Sequence, residues 1–122
     1  MPDPRMPVPT EIRLRRAEKL LEVNFDDGTR VTLPAEYLRV ESPSAEVQGH
    51  GPNERRTIAG KRHVGITGVE PVGNYAVRLL FDDGHDTGIF SWDYLYALGR
   101  DRTGKWDAYL AALRAGRLSR DP

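Results

Sequence analysis

A repeated segment constrains this chain more than any other feature. Phe25-Asp26-Asp27-Gly28 recurs as Phe81-Asp82-Asp83-Gly84, and Leu33-Pro34-Ala35-Glu36-Tyr37-Leu38 recurs as Phe90-Ser91-Trp92-Asp93-Tyr94-Leu95. The offset is 56 residues before the turn and 57 after it. The second copy therefore carries one extra residue between Gly84 and Phe90, where a β-bulge is the natural accommodation. Leu21, Val23 and Phe25, then Val31 and Leu33, alternate with polar residues, and Val77, Leu79 and Phe81 repeat the pattern. Period two is the mark of half-buried strands, and Asp-Gly between them tolerates the positive φ of a tight hairpin turn. Each copy reads as strand, turn, strand, short helix. Two copies predict an α+β domain in which antiparallel hairpins make the sheet and short helices cover it.

The rest of the chain is read around this unit. Residues 1–10 hold four prolines and are expected to be a disordered lead-in, with the domain proper over 11–100 and a helix and tail of the same domain over 101–122. Ile12 and Leu14 alternate with charged residues as a strand would. Val64–Val72 and Tyr75–Phe81 read as strands joined at Gly73-Asn74, and Thr87–Phe90 as the return strand of the second hairpin. Pro34 suits the first turn of a helix to Arg39, and Ser91 is placed to cap a helix that ends near Leu98, with Gly99 as its stop. Thr103 can cap a last helix whose Trp106, Tyr109, Leu110 and Leu113 share one face, ended by Gly116. That face is expected to pack on a sheet. Between Glu41 and Arg62 no period is sustained, so a long loop is expected there, of the kind that is usually functional or mobile.

Composition removes several function classes. Among 122 residues there is no cysteine, which excludes disulfides, thiolate metal sites and cysteine nucleophiles. Apolar runs are too short for a membrane span, and charged residues crowd the first twenty positions, so no membrane association and a cytoplasmic location are expected. Eighteen basic residues balance eighteen acidic ones. Without net charge, nucleic acid would have to be held by a local patch such as Arg55, Arg56, Lys61 and Arg62. No aromatic side chain interleaves with these to stack on bases, so nucleic acid is not the expected partner.

No hydrolytic motif is present. His50, His63 and His85 form neither an HExxH nor a His-x-Asp/Glu pair, Gly60-Lys61 lacks the remainder of a phosphate loop, and no Gly-x-Ser-x-Gly elbow exists. The paired aspartates at 26/27 and 82/83 are explained by turn propensity. The most distinctive segment is Ser42-Pro43-Ser44-Ala45-Glu46-Val47-Gln48-Gly49-His50-Gly51. Glu46, His50 and His85 would supply two nitrogens and one oxygen, a set suited to zinc or iron, with Glu41 or Asp86 in reserve. The competing role for His85 is structural: its ring could hydrogen-bond loop carbonyls and hold the loop against the hairpin without a metal.

Leu38 to Val47, the run Phe81 to Trp92 with its Asp-Gly-His, and Tyr94-Leu95 together resemble the gamma-butyrobetaine hydroxylase-like N-terminal domain family over roughly residues 10–100. In the hydroxylases this domain precedes a dioxygenase domain and binds structural zinc through a Cys-Pro-Cys-x-x-Cys loop and the histidine of the hairpin. The resemblance puts those cysteines at Ser42, Ser44 and Val47 and retains only His85, so zinc of that type is not expected here, and neither is hydroxylation. Small bacterial relatives share the Ser-Pro-Ser-Ala-Glu-Val loop, and related domains occur fused to ATPase carriers of iron–sulfur clusters. The resemblance thus implies a non-catalytic domain that binds a protein partner or a second copy of itself, as an accessory in metal or iron–sulfur cluster handling. The alternative is the metal-binding module of Glu46, His50 and His85.

Overall fold

The computed structural model describes residues 6–49 and 55–122. Strands β1 (Pro9–Arg15), β2 (Leu20–Phe25) and β3 (Arg30–Pro34) make one antiparallel sheet in that order. It is followed by α1 (Ala35–Val40) and the single turn α2 (Ala45–Gln48). Strands β4 (Ile66–Val72), β5 (Ala76–Phe81) and β6 (Ile89–Ser91) make a second antiparallel sheet, followed by α3 (Trp92–Arg100) and α4 (Arg102–Ala115). The class is α+β, but there are two three-stranded sheets rather than one. Strands β1 and β4 approach each other without a ladder, and the guanidinium of Arg16 donates to the carbonyl of Thr67 across the gap.

The duplication extends further upstream than the sequence motifs. The register of β1 on β2 shifts between Pro9, opposite Phe25, and Glu11, opposite Asn24. On β5 the register of β4 shifts at the same place, between Ile66, opposite Phe81, and Gly68, opposite Leu80. The repeated unit is thus three strands and a helix. Gly28 and Gly84 occupy matching turns at φ +87° and +89°, a left-handed conformation that glycine adopts without strain.

The two units contact each other reciprocally, as the halves of a two-fold dimer would. Tyr37 of α1 donates its hydroxyl to the carbonyl of Leu98 at 2.7 Å, and its counterpart Tyr94 of α3 donates to the carbonyl of Glu41, the counterpart of Leu98. Tyr96 donates to Asp27 of the first turn at 2.8 Å, and its counterpart Arg39 donates to Asp83 of the second. The small residues exchange places too. A Cβ on Gly99 would meet Val31 Cγ1 at 2.2 Å, and a Cβ on Gly88 would meet Ser42 Oγ at 2.4 Å. Position 88 is the counterpart of 31, and 42 of 99. Each helix therefore ends on the hairpin of the other unit, and the shared core includes the fully buried Leu21, Leu33 and Leu38 with Leu79, Phe90 and Leu95.

Several boundaries differ from the sequence expectations for identifiable reasons. Pro9 and Thr10 belong to β1, and Val8 exchanges backbone and side-chain hydrogen bonds with Asp26, so the ordered chain begins before residue 11. The expectation of disorder for residues 1–5 lies outside the described residues. Helix α3 runs through Gly99 to Arg100, because that glycine serves close packing on Val31 rather than termination. The residue at the N-terminal boundary of α4 is Asp101, two residues ahead of the expected Thr103. Inside the long loop, Ser44 caps the turn of α2 by accepting from the backbone N–H of Glu46. Gly99→Ala sets helix propensity, worth up to about 1 kcal/mol, against overpacking, which costs about 1–3 kcal/mol. A net loss on the order of 1 kcal/mol in denaturant unfolding is expected.

Helix α4 packs on helix and loop rather than on a sheet. Tyr109 and Leu113 bury against Val40 and Ile58, and Trp106 stands edge-on to Tyr37. The tail then returns: Gly60 and Arg62 donate their backbone N–H groups to the carbonyls of Ser119 and Arg120. Arg120 makes two bonds of 2.8 and 2.6 Å to the buried carboxylate of Glu36 and lies over the Trp106 ring. This tail fixes one end of the loop.

Candidate functional site

The extra residue of the second copy positions the site. Phe81 donates its N–H to the carbonyl of His85, and Leu79 donates to that of Gly88. Between these bonds Asp86 and Thr87 face the single residue Leu80, which is the expected bulge. It turns His85 inward, 5% exposed, beside the end of α1 and the start of α2. Gly88, lacking a Cβ, lets Ser42 close on the same point.

Four hydrogen bonds join the loop to this hairpin, and two more within the loop complete the network. Glu46 as a carboxylate can only accept, so His85 Nδ1 carries the proton donated to Glu46 Oε2 at 3.0 Å. His85 Nε2 hydrogen-bonds Ser42 Oγ at 2.9 Å, and in the neutral ring it is the acceptor. Ser42 Oγ accepts from the N–H of Ser44, and Ser44 Oγ accepts from the N–H of Glu46. Ser44 passes its own hydroxyl hydrogen to Thr87 Oγ1 at 2.7 Å, and Thr87 donates to Glu46 Oε1 at 3.2 Å. The network closes on itself. Ser42 is fully buried, so this closure leaves a hydroxyl out of water without leaving it unpaired.

Ser42, His85 and Glu46 have the connectivity of a serine hydrolase triad. A nucleophile must reach a substrate, and Ser42 has no accessible surface and Gly88 at its back. The arrangement is therefore a clasp. The expected partners of His85, loop carbonyls, are replaced by the side chains of Ser42 and Glu46, while the carbonyl of Ser42 accepts from Gln48 Nε2 at 2.9 Å.

Of the three metal-ligand candidates, Glu46 and His85 are brought together and His50 lies outside the described residues. The contact uses Nδ1, and Ser42 uses Nε2, so a metal would have to displace one of them. The reserves separate: Glu41 is buried on Arg55 at 2.9 Å, and Asp86 is exposed beside Arg78. No group of three metal-ligating side chains occurs among the described residues. Of the positions aligned with the hydroxylase zinc ligands, Ser42 contacts His85 and Ser44 contacts Thr87, but their donors do not fit the ion. Two are neutral hydroxyls already engaged, and Val47, fully buried, has no donor atom.

A second cluster flanks the clasp, and nothing in the residue spacing had pointed to it. Asp83 Oδ2 receives both Arg39 Nε at 2.8 Å and Lys61 Nζ at 2.7 Å. Burial alone would raise the Asp83 carboxyl, but hydrogen bonds from Lys61, the His85 backbone and Arg39 outweigh it and hold it at about 2. Among the described residues Arg39 Nη1 is buried without a partner. The basic run of the loop is largely spent within the chain: Arg55 on Glu41, Lys61 on Asp83 and Arg62 on Asp121. Over this region lies an open concavity of about 750 Å³, lined by Arg39, Arg56, Glu46 and the apolar Ala45, Val47 and Ile58.

The family described as gamma-butyrobetaine hydroxylase-like, N-terminal, matches residues 12–96, which takes in both units, the clasp and most of α3. The chain belongs to this family. The match concerns an N-terminal domain, so it carries no hydroxylase chemistry to the chain. No curated protein matches it. Two solution NMR structures are similar at 51% and 48% identity, with TM-scores of 0.83 and 0.84. The first alignment covers 96% of this chain and 92% of the other, and the second covers 100% and 91%. A crystal structure of a protein of unknown function from Acidithiobacillus ferrooxidans, assigned to the DUF971 family, is 43% identical with a TM-score of 0.63. That alignment covers 80% of this chain and 98% of the other. No described helix is long and apolar enough to cross a membrane.

Proposed function

We propose that the chain is a non-catalytic docking module that binds a protein partner through the concave face lined by Arg39, Glu46, Arg56 and Ile58. One observation carries this reading: the reactive-looking side chains are turned inward, and the surface above them is an open depression. Ser42 and His85 are buried beneath the loop, and only Glu46 of the three contributes to the lining of the concavity. The depression combines guanidinium and carboxylate groups with aliphatic side chains, a mixture that a polypeptide segment can satisfy.

Site-specific photo-crosslinking in cells tests this. A photoreactive residue at Ile58, in the depression, is expected to yield discrete protein adducts, and the same residue at Thr32 on the first sheet is not. Identical adduct patterns from both positions, or none from Ile58, would contradict the reading. Purified protein is expected to hydrolyse activated esters at the same rate with Ser42→Ala, since the hydroxyl is closed off from substrate.

A further inference from the structure

We infer that the outer face of the second sheet joins two molecules of this chain about a two-fold axis. The internal repeat supplies the comparison that singles this face out. On the first sheet, Glu11, Arg13 and Arg15 of β1 share the outer face with Glu22 and Asn24 of β2, where Asn24 donates to Glu11 and Arg15 pairs with Glu22. The matching register places their counterparts at Gly68, Glu70 and Val72 of β4 and at Arg78 and Leu80 of β5. Ile89 of β6, 46% exposed, stands where β3 has Thr32. The same pleat is thus charged on one sheet and largely apolar on the other, apart from the pair of Glu70 and Arg78 at 2.5 Å. These two side chains are 51% and 36% exposed, so no described part of the chain closes over them. A solvated face of an antiparallel sheet is ordinarily polar, as the first one is, and apolar replacements on an equivalent scaffold mark a face that meets protein.

The order of residues across the face identifies the occupant as a second molecule of the same chain. Three rows cross β4 and β5: Val72 opposite Ala76, Glu70 opposite Arg78, and Gly68 opposite Leu80. An axis parallel to the strands, above the boundary between β4 and β5, lays each row over its own reverse. Glu70 then meets Arg78 of the other molecule, Leu80 meets its Gly68, and Val72 meets its Ala76. Opposite charges face each other, and a large side chain faces the position without a Cβ. An axis running across the strands would set Glu70 on Glu70 and Arg78 on Arg78, which repel. A partner surface of one sign would leave half of the pair unmatched, whereas a second molecule supplies both signs. Three strands by six residues span roughly 15 Å by 20 Å, less than the about 800 Å² per partner of a standard interface, so the dimer is weak and reversible.

The test is sedimentation equilibrium of the untagged full-length protein between about 10 µM and about 1 mM, where the mass is expected to rise from monomer toward dimer. Val72→Arg combined with Leu80→Asn installs the residues that the first sheet carries at Arg15 and Asn24. That variant is expected to stay monomeric throughout while its amide NMR spectrum remains that of a folded protein. Glu70→Arg and Arg78→Glu are each expected to weaken association at least about tenfold. An equimolar mixture of these two is expected to recover it, because the mixed pair again sets opposite charges together. A wild-type protein that remains monomeric at about 1 mM overturns the inference, as does association that survives Val72→Arg with Leu80→Asn. A mixture that associates no better than its components overturns the axis and the pairing of Glu70 with Arg78. The docking reading is independent of these outcomes and stands or falls on the adducts from Ile58.

Discussion

His85→Ala is expected to destabilise the protein by about 3 kcal/mol, a fall in melting temperature on the order of 10 °C for a chain of this size. The ring is buried and bridges Ser42 to Glu46. Its removal leaves a cavity under the loop and a fully buried Ser42 hydroxyl with no acceptor, and each of these has its own cost. Glu46, which is largely exposed, regains water and contributes little to the loss. His85→Gln keeps a donor and an acceptor and is expected to recover about half of the stability. Thermal melts of the three proteins check this order. Hydrogen exchange should show the loss concentrated at residues 42–49, because the clasp is what ties α2 to the second hairpin.

Asp83→Ala is the second large effect, expected at about 2–4 kcal/mol. Asp83 is the shared counter-ion of Arg39 and Lys61, and its Oδ1 also accepts from the His85 backbone N–H. Truncation leaves the buried Arg39 uncompensated and loosens the turn that carries His85, while partial exposure of the pair moderates the cost. The carboxyl is held at about 2 against its ordinary 3.8. Its folded value lies below its unfolded one, so its contribution is complete above about pH 4 and is lost as pH falls toward 2. Wild-type stability should therefore drop through that window, and the drop should be shallower in Asp83→Ala. Denaturant unfolding at pH 7, 4 and 2.5 measures both.

The repeat made much of the fold legible, because Asp-Gly turns and alternating strands are local signals, and the same signals occurred twice. That the class is α+β with paired hairpins follows from them directly. The division into two sheets did not, since nothing local reveals whether β1 and β4 will ladder or merely touch. Gly99 illustrates the limit: a glycine near a helix end reads as a stop, and its packing on Val31 is a tertiary fact. The site was legible in part. Glu46 and His85 stood out as chemistry-bearing residues, and the extra residue of the second copy singled out the hairpin that brings them together. The closure of Ser42 on His85 and Gly88 went unread, although the repeat held the clue: position 42 corresponds to 99 and 88 to 31, so a contact at one junction implies its counterpart at the other. The Asp83 cluster was hidden because its aspartate is fully explained by turn propensity, and Lys61 reaches it only through tertiary folding.

We propose that side-chain hydrogen bonds and the Lys61–Asp83 ion pair fasten the loop to the hairpin without a metal ion. The direct measurement is the melting temperature of untagged protein, with metal content determined in parallel, after chelation and again after repletion with zinc or ferrous iron. A substoichiometric metal content and one unchanged melting temperature are predicted. A stoichiometric ion whose removal lowers the melting temperature by several degrees, and with it an effect lost in Glu46→Gln, would contradict the clasp and make Glu46, His50 and His85 the ligands of a metal centre.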